Sequence, residues 1–440
     1  MAKATGCLTG ARMTLKERLR GAANPLTVVA RLGIERMRTG AVYSPLGGGF
    51  WANPYPMYRR LRQRDPIHRS AITGTWVVSS YRDVAAVLRD PRFLSDKRKL
   101  RRHERARAQS VGDGVLGEHD EVVSDMTALD PPGHTRLRAL VSQAFSPRSI
   151  GALRPRIQRI VQQRLDAMAR AGDIDIVRDL AVPLPVTVMA EMMGLPLEDH
   201  DRFRQWADDL LRGIGYARPD ELRRTGAALG QLTAYLEGVA EERRQNPGDD
   251  LISALLLAEE AGDRLTMAEV VTTCLLLLNA GYSMITNFIG SGLLSLFEHP
   301  DQMDALRREP SLMGNAVEEL LRYDAPAQAT WRFALEDVQL GDRTIEAGQQ
   351  VLLLLGAANR DPEKFSDPDR LDITRDDSSQ HLSFSHGIHY CIAAPLARLE
   401  THVALGAVIE RFPKLRLATD RVSWEHTMFV RSLEALPVTV

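Results

Sequence analysis

Apolar and polar positions along this 440-residue chain recur with two different periods. Met57–Arg64 and Tyr81–Arg89 carry the three-to-four-residue spacing of amphipathic helices. Thr75–Tyr81 (TWVVSSY) between them is rich in β-branched and aromatic residues and predicts a strand. From His134 to Val270 helix follows helix. Ser146-Pro147 opens one of them, because proline is favoured at the first helical position, and Asn246-Pro-Gly-Asp-Asp250 is a turn. Val270 to Phe297 then runs without a charged side chain. That length would suit a bilayer span. However, Asn279, Gly281, Ser283, Thr286, Asn287 and Ser291 occupy its middle, and polar groups are costly in lipid. The pattern therefore predicts a long helix buried through a large soluble core. After Arg322 strand signals return at Val338–Ile345 and Gln349–Leu355, with turns at Gly341-Asp342 and Ala347-Gly348. Ile392–Phe412 is again helical, and Leu436–Val440 ends the chain as a strand. The expected fold is mainly α with a minor β portion.

The ends and the composition refine this picture. Leu15–Arg20 and Pro25–Arg38 are short and weakly amphipathic, and Ser44-Pro-Leu-Gly-Gly-Gly49 is a breaker. Residues 1–45 are expected to be an N-terminal extension, loosely ordered or packed on the surface, and residues 46–440 one large domain. The apolar stretch Pro25–Ile34 is interrupted by Arg31, is too short to span a bilayer and lacks a cleavage signal. A hydrophobic share of 44% and a charged share of 26% are those of a globular protein. The net charge of -1 gives no global field favouring nucleic acid or an anionic membrane, and no membrane insertion is expected. Cys7, Cys274 and Cys391 are odd in number and far apart, which argues against a disulfide framework and a zinc site and fits a reducing cytoplasm. One basic run stands out, with Lys97, Arg98, Lys99, Arg101, Arg102, Arg105 and Arg107. It reads as a solvated face; its functional alternative is attraction of an acidic substrate or carrier protein.

The segment Phe384-Ser-His-Gly-Ile-His-Tyr-Cys391 carries the most chemistry. A cysteine directly before a helix, here Ile392-Ala-Ala-Pro-Leu-Ala-Arg-Leu-Glu400, has its sulfur near backbone N–H groups and the positive end of the helix dipole, both of which favour thiolate. Gly387 permits a turn that a bulkier residue resists. A buried structural cysteine is the competing reading for any lone cysteine.

The surrounding residues resemble the cytochrome P450 family, whose cysteine loop reads Phe-Gly-x-Gly-x-His-x-Cys-x-Gly. Phe384, Gly387, His389 and Cys391 match, while Ser385 and Ala393 replace two glycines. The resemblance runs from about residue 46 to the C-terminus. It implies haem b (iron protoporphyrin IX) between the long central helix and the cysteine loop, with Cys391 as the ligand to iron. It further implies that His134 and Arg138, in Asp130-Pro-Pro-Gly-His-Thr-Arg-Leu-Arg138, hold a haem propionate together with Arg332 and His389. Glu319-Leu-Leu-Arg322 resembles the family's Glu-x-x-Arg motif, with Arg370 as the third member of a structural ion network.

The chain departs from the family on the oxygen side. Where the long helix usually carries Ala/Gly-Gly-x-Asp/Glu-Thr, this one reads Ala280-Gly281-Tyr-Ser283-Met284. In the family the acid and the alcohol organise water for proton delivery. A thioether donates no proton, and a serine cannot relay one as a carboxylate does. The resemblance implies a monooxygenase acting on a small or medium apolar organic molecule with O2, by hydroxylation or epoxidation. Alternatives are oxidative cyclisation, coupling, desaturation or rearrangement without oxygen insertion, peroxide-driven oxidation, and a non-catalytic haem-binding sensor. No flavin or nicotinamide motif is evident, and Gly47–Gly49 is a turn rather than a phosphate loop. Electrons are therefore expected from NAD(P)H through an external reductase and a ferredoxin, with Arg136, Arg148 and Arg398 as candidates for the docking face. Soluble bacterial members of the family often serve secondary metabolism.

Overall fold

The computed structural model describes residues 25–440 apart from 46–47, 72, 102–124, 213–218, 261, 426 and 428. The weakly amphipathic segment Leu15–Arg20 and the second part of the basic run, with Arg102, Arg105 and Arg107, lie outside the described residues. Eleven helices carry the account: α1 (Pro25–Thr39), α2 (Tyr55–Arg64), α3 (Tyr81–Arg89), α4 (Gly133–Ala144), α5 (Arg154–Arg170), α6 (Pro183–Met192), α7 (His200–Arg212), α8 (Pro219–Gln245), α9 (Met267–Glu298), α10 (Met313–Tyr323) and α11 (Ala394–Arg411).

The uncharged run forms the middle of α9, which starts on a capping box. The Thr266 hydroxyl accepts from the Glu269 N–H, and the Glu269 carboxylate accepts from the Thr266 N–H. Among the described residues α9 is the one helix long and apolar enough to cross a membrane. Its apolar residues instead bury against α6, α8 and α11, each large side chain contributing roughly 1.5–3 kcal/mol. Two of its polar groups find partners inside the protein, the Thr286 hydroxyl donating to the Ala181 carbonyl (2.9 Å) and the Tyr282 hydroxyl to Asp208 (2.7 Å), whereas Asn279 Oδ1 and the Ser291 hydroxyl are buried with no hydrogen-bond partner among the described residues.

A five-stranded sheet flanks this helical body. Its strands are β1 (Ile67–Arg69), β2 (Trp76–Val78), β3 (Phe93–Leu94), β4 (Thr330–Ala334) and β5 (Gln350–Leu353), in the order β1-β2-β5-β4-β3. β2 and β5 are parallel and the other pairs antiparallel. The strand expected over Thr75–Tyr81 stops at Val78, because Ser80 caps α3 by accepting from the Asp83 N–H. The turn at Gly341 joins the two short strands of the expected hairpin over Val338–Ile345.

Residues before position 46 take part in this body. Ala41 and Tyr43 are fully buried, and Glu35 on α1 is buried. Glu35 accepts from the N–H groups of Tyr43 (3.0 Å) and Ala71 (2.8 Å) and lies 2.7 Å from His68 Nε2, while Asp65 lies 3.0 Å from His68 Nδ1. Burial works against a charge on His68, but the two carboxylates outweigh it and lift its pKa to about 8 from 6.5. A raised histidine pKa stabilises the fold fully below 6.5, and that contribution fades as pH climbs through about 8. The expected loss is roughly 2 kcal/mol. Protection factors of the α1 amides, with exchange corrected for its intrinsic base-catalysed rate, should therefore fall over this window in the wild-type protein and stay flat in His68→Gln; parallel pH profiles would contradict the assignment.

Candidate functional site

The site forms where the N-terminus of α11, the C-terminus of α3, the N-terminus of α4 and strand β4 converge. The loop before α11 closes on itself, with the Cys391 N–H donating to the Phe384 carbonyl (2.9 Å) and the Tyr390 N–H to Gly387 (3.1 Å). Gly387 sits at φ +70°, and a Cβ added there would lie 2.5 Å from the Leu88 carbonyl oxygen at the end of α3. Ser385 also adopts the left-handed region, φ +64°, and its buried hydroxyl has no hydrogen-bond partner among the described residues. Strain is thus held in the loop at the position where the family pattern has glycine. The ring of Phe384 lies under the Arg398 guanidinium (4.6 Å) and beside Tyr390.

Burial pushes the Cys391 thiol up; the N–H groups of Ala393 and Ala394 and the charges of Arg138 and Arg398 pull the other way. An anionic sulfur in this setting needs a cation in contact with it, such as a metal.

A second group of residues demands anions. His134 is buried, its ring centroid is 4.5 Å from that of His389, and neither of its ring nitrogens has a hydrogen-bond partner among the described residues. Burial, then the charges of His389, Arg138 and Arg332, lower its pKa to about 4. Arg332, placed on β4 opposite Val351, is buried and among the described residues donates only to the Trp331 carbonyl (2.7 Å); burial lowers its pKa to about 10. Arg138 is half-buried, with Cys391 as the group opposing its loss of charge. Asp130 is the nearby carboxylate, and it is committed: it accepts from the N–H groups of Ser95 (3.1 Å) and Asp96 (2.8 Å) and stands 3.9 Å from His389 Nε2. His389 Nε2 also approaches the Ser95 hydroxyl (3.1 Å). A buried guanidinium and buried imidazole nitrogens without an anion or acceptor among the described residues are costly by themselves. Two carboxylates of a porphyrin would satisfy them, so the residues present fit haem.

On α9, Ala280 is exposed and Met284, one turn on, is half-buried, so the pair marks the open face of the helix. Gly281 sits against Met189, the position of a Cβ being 3.4 Å from the Met189 methyl. Ser283 is buried and forms no side-chain hydrogen bond among the described residues. Tyr282 and Thr286, its nearest hydroxyl neighbours along the helix, are spent on Asp208 and Ala181.

The structural network behind the site corrects one sequence expectation. Glu319 and Arg322 are fully buried and form a bidentate pair, Nε–Oε2 2.7 Å and Nη2–Oε1 2.8 Å, and Arg322 also donates to the carbonyls of Asn359, Pro368 and Arg370. The third member is Arg375, whose Nε reaches Glu319 Oε1 at 3.2 Å, and not Arg370. Arg370 contributes its carbonyl alone; its side chain is 63% exposed and pairs loosely with Asp372 at 3.7 Å. After the bend at Asp367 (φ +44°) the chain returns to Glu319 at 372–375, where the Asp372 N–H also donates to the carboxylate, and residue 370 faces outward. Of the arginines expected to form a docking face, Arg136 pairs with Asp263 and Glu269, and Arg398 pairs with Glu318; Arg148 is exposed without an ion pair among the described residues. Sequence reasoning missed Asp130 and Ser95 as the tie to His389. An aspartate before a helix was visible, but its partners are 34 and 35 residues away.

The sequence pattern of the family described as Cytochrome P450 matches residues 75–430. The chain is 41% identical over 418 residues to Cytochrome P450 107B1 of Saccharopolyspora erythraea, covering 91% of this chain and 99% of that protein. It is 40% identical to Cytochrome P450 monooxygenase PikC of Streptomyces venezuelae, covering 92% and 97%. Among solved structures, P450BioI in complex with an acyl carrier protein carrying hexadec-9Z-enoic acid superimposes with a TM-score of 0.79 at 37% identity, over 90% of this chain and 100% of that one.

Proposed function

The chain belongs to the cytochrome P450 family, and we propose that it hydroxylates or epoxidises an apolar organic molecule without a carboxylate–alcohol proton relay on the long helix. The protein is an oxidoreductase that uses haem b and O2. Bound haem with a thiolate on iron activates dioxygen and favours O–O cleavage. Cys391 supplies that thiolate; His134, Arg138, Arg332 and His389 hold the propionates; the Ala280–Met284 face of α9 walls the oxygen side.

The observation that carries the proton reading is the commitment of the neighbouring hydroxyls. Thr286 and Tyr282 each donate elsewhere, and Met284 has no proton to give. Ser283 is the hydroxyl in this stretch that no described residue claims, and it holds a water or the substrate's own hydroxyl for delivery. Ser283→Asp with Met284→Thr restores the family's pair. The double variant should change the ratio of product formed to NAD(P)H consumed by about an order of magnitude, the low end of what a positioned proton donor contributes. An unchanged ratio would place the proton source elsewhere. Labelled dioxygen tests oxygen insertion: one labelled atom in the product supports monooxygenation, and loss of two hydrogens with no label supports coupling or desaturation.

The electron donors are an external ferredoxin and its NAD(P)H-dependent reductase, with exposed Arg148 on the docking side. The location is cytoplasmic, in keeping with a buried reduced thiol at Cys274. The run from Lys97 to Arg107 suits an acidic carrier protein, a mode of delivery for which the acyl-carrier complex of P450BioI is the precedent. Within the described part, Arg98 pairs with Asp96 and Lys99 donates to the Pro131 carbonyl (2.6 Å).

A further inference from the structure

We infer that α1 is an interfacial helix that seats the enzyme on an anionic lipid surface. The nearly neutral chain hides a strong asymmetry. Residues 1–45 hold eight Lys/Arg and two Asp/Glu, a net of +6, so the remainder holds -7 of the total -1. Glu35, the one acid in α1, is turned inward and consumed by His68 and two backbone N–H groups. That latch fixes which face of α1 points out.

From Ala30 on, the outward face is apolar and basic at its edges. Ala30 is exposed, Ile34 is 45% exposed and Met37 is 80% exposed. Spaced at i, i+4 and i+7, they form one stripe. Arg31 and Arg38 follow the stripe one residue later at each end, and Arg36 lies on the opposite edge. All three are exposed, with no ion pair among the described residues. Beyond the helix the exposed Arg64 continues the basic edge, its Cδ lying 3.7 Å from the position of a Cβ on Gly40.

Charge decides among the occupants of this face. Residues 1–24 carry a net of +4, and α1 of a second copy carries the same arginines, so both are repelled. An anionic bilayer accepts both features at once: Ile34 and Met37 enter below the headgroups while the guanidiniums stay at the phosphates. Association of this kind is peripheral, with no segment crossing the bilayer, and it brings the enzyme to where apolar molecules concentrate.

The test uses the full-length haem-loaded protein and sedimentation with vesicles of phosphatidylglycerol or of phosphatidylcholine. Wild type should sediment with the first, release with added salt, and ignore the second. Ile34→Asp with Met37→Asp, and separately Arg31→Glu with Arg38→Glu, should each lower the bound fraction at least about tenfold. The four positions are exposed, so an unchanged unfolding temperature and haem band verify the fold. Failure of wild type to prefer phosphatidylglycerol overturns the proposal. So does wild-type binding by the Ile34/Met37 variant, which would reduce the effect to diffuse charge, or loss by these variants of binding to an acidic carrier protein while vesicle binding persists.

Discussion

Glu319→Ala should destabilise the fold by about 3–5 kcal/mol, the cost of leaving a buried guanidinium without its partner. Glu319 and Arg322 are both fully buried, and the carboxylate accepts from Arg322, from Arg375 and from the Asp372 N–H. Deleting it leaves Arg322 with carbonyl oxygens but no counter-charge. The same network separates two arginines that look alike in sequence. Arg375→Ala should cost about 1–3 kcal/mol, since a mostly buried ion pair and its carbonyl contacts are lost. Arg370→Ala should stay within about 0.5 kcal/mol, because its side chain is exposed and its carbonyl survives the substitution. Chemical denaturation of the three variants measures this order. Equal losses for Arg370→Ala and Arg375→Ala would contradict the geometry.

The second large effect is expected from a single methyl group. In Gly387→Ala the new Cβ meets the Leu88 carbonyl oxygen at 2.5 Å, its carbon at 3.4 Å and Arg89 Cα at 3.5 Å, all of them backbone atoms that cannot swing away. The residue also sits at φ +70°, where a side chain costs roughly 1–2 kcal/mol by itself. Together they should cost about 3 kcal/mol or more and push the loop off α3. Cys391 is four residues on, so the fraction of protein that takes up haem should fall with stability. Gly151→Ala, where nothing lies within 4 Å of the added atom, is the control and should retain haem. Wild-type haem uptake in Gly387→Ala would show that the loop tolerates the shift.

The periodic elements were legible. The uncharged helix, α3, the hairpin at Gly341 and the helix after Cys391 follow from local spacing and capping, which need no knowledge of distant partners. The cysteine loop was legible for a related reason, since a glycine turn, a cysteine and a helix start are contiguous. What the sequence hid depends on long-range return of the chain. Arg370 and Arg375 both follow Phe365 at plausible distances, and only the bend at Asp367 decides which one meets Glu319. The inward turn of Glu35 is of the same kind, because its partner His68 is 33 residues away and its neighbours in sequence are exposed arginines. Ser385 shows the converse. Its substitution for glycine was visible, but the left-handed backbone it must keep was not.

The central claim is that the sulfur of Cys391 binds the haem iron. The direct measurement is the absorption spectrum of the reduced, carbon monoxide-bound protein, taken on wild type and on Cys391→Ala after each has been supplied with haem. The account predicts the red-shifted band of thiolate ligation in wild type and its absence in the variant. The same spectrum from both proteins, or wild type that takes up no haem, would contradict it.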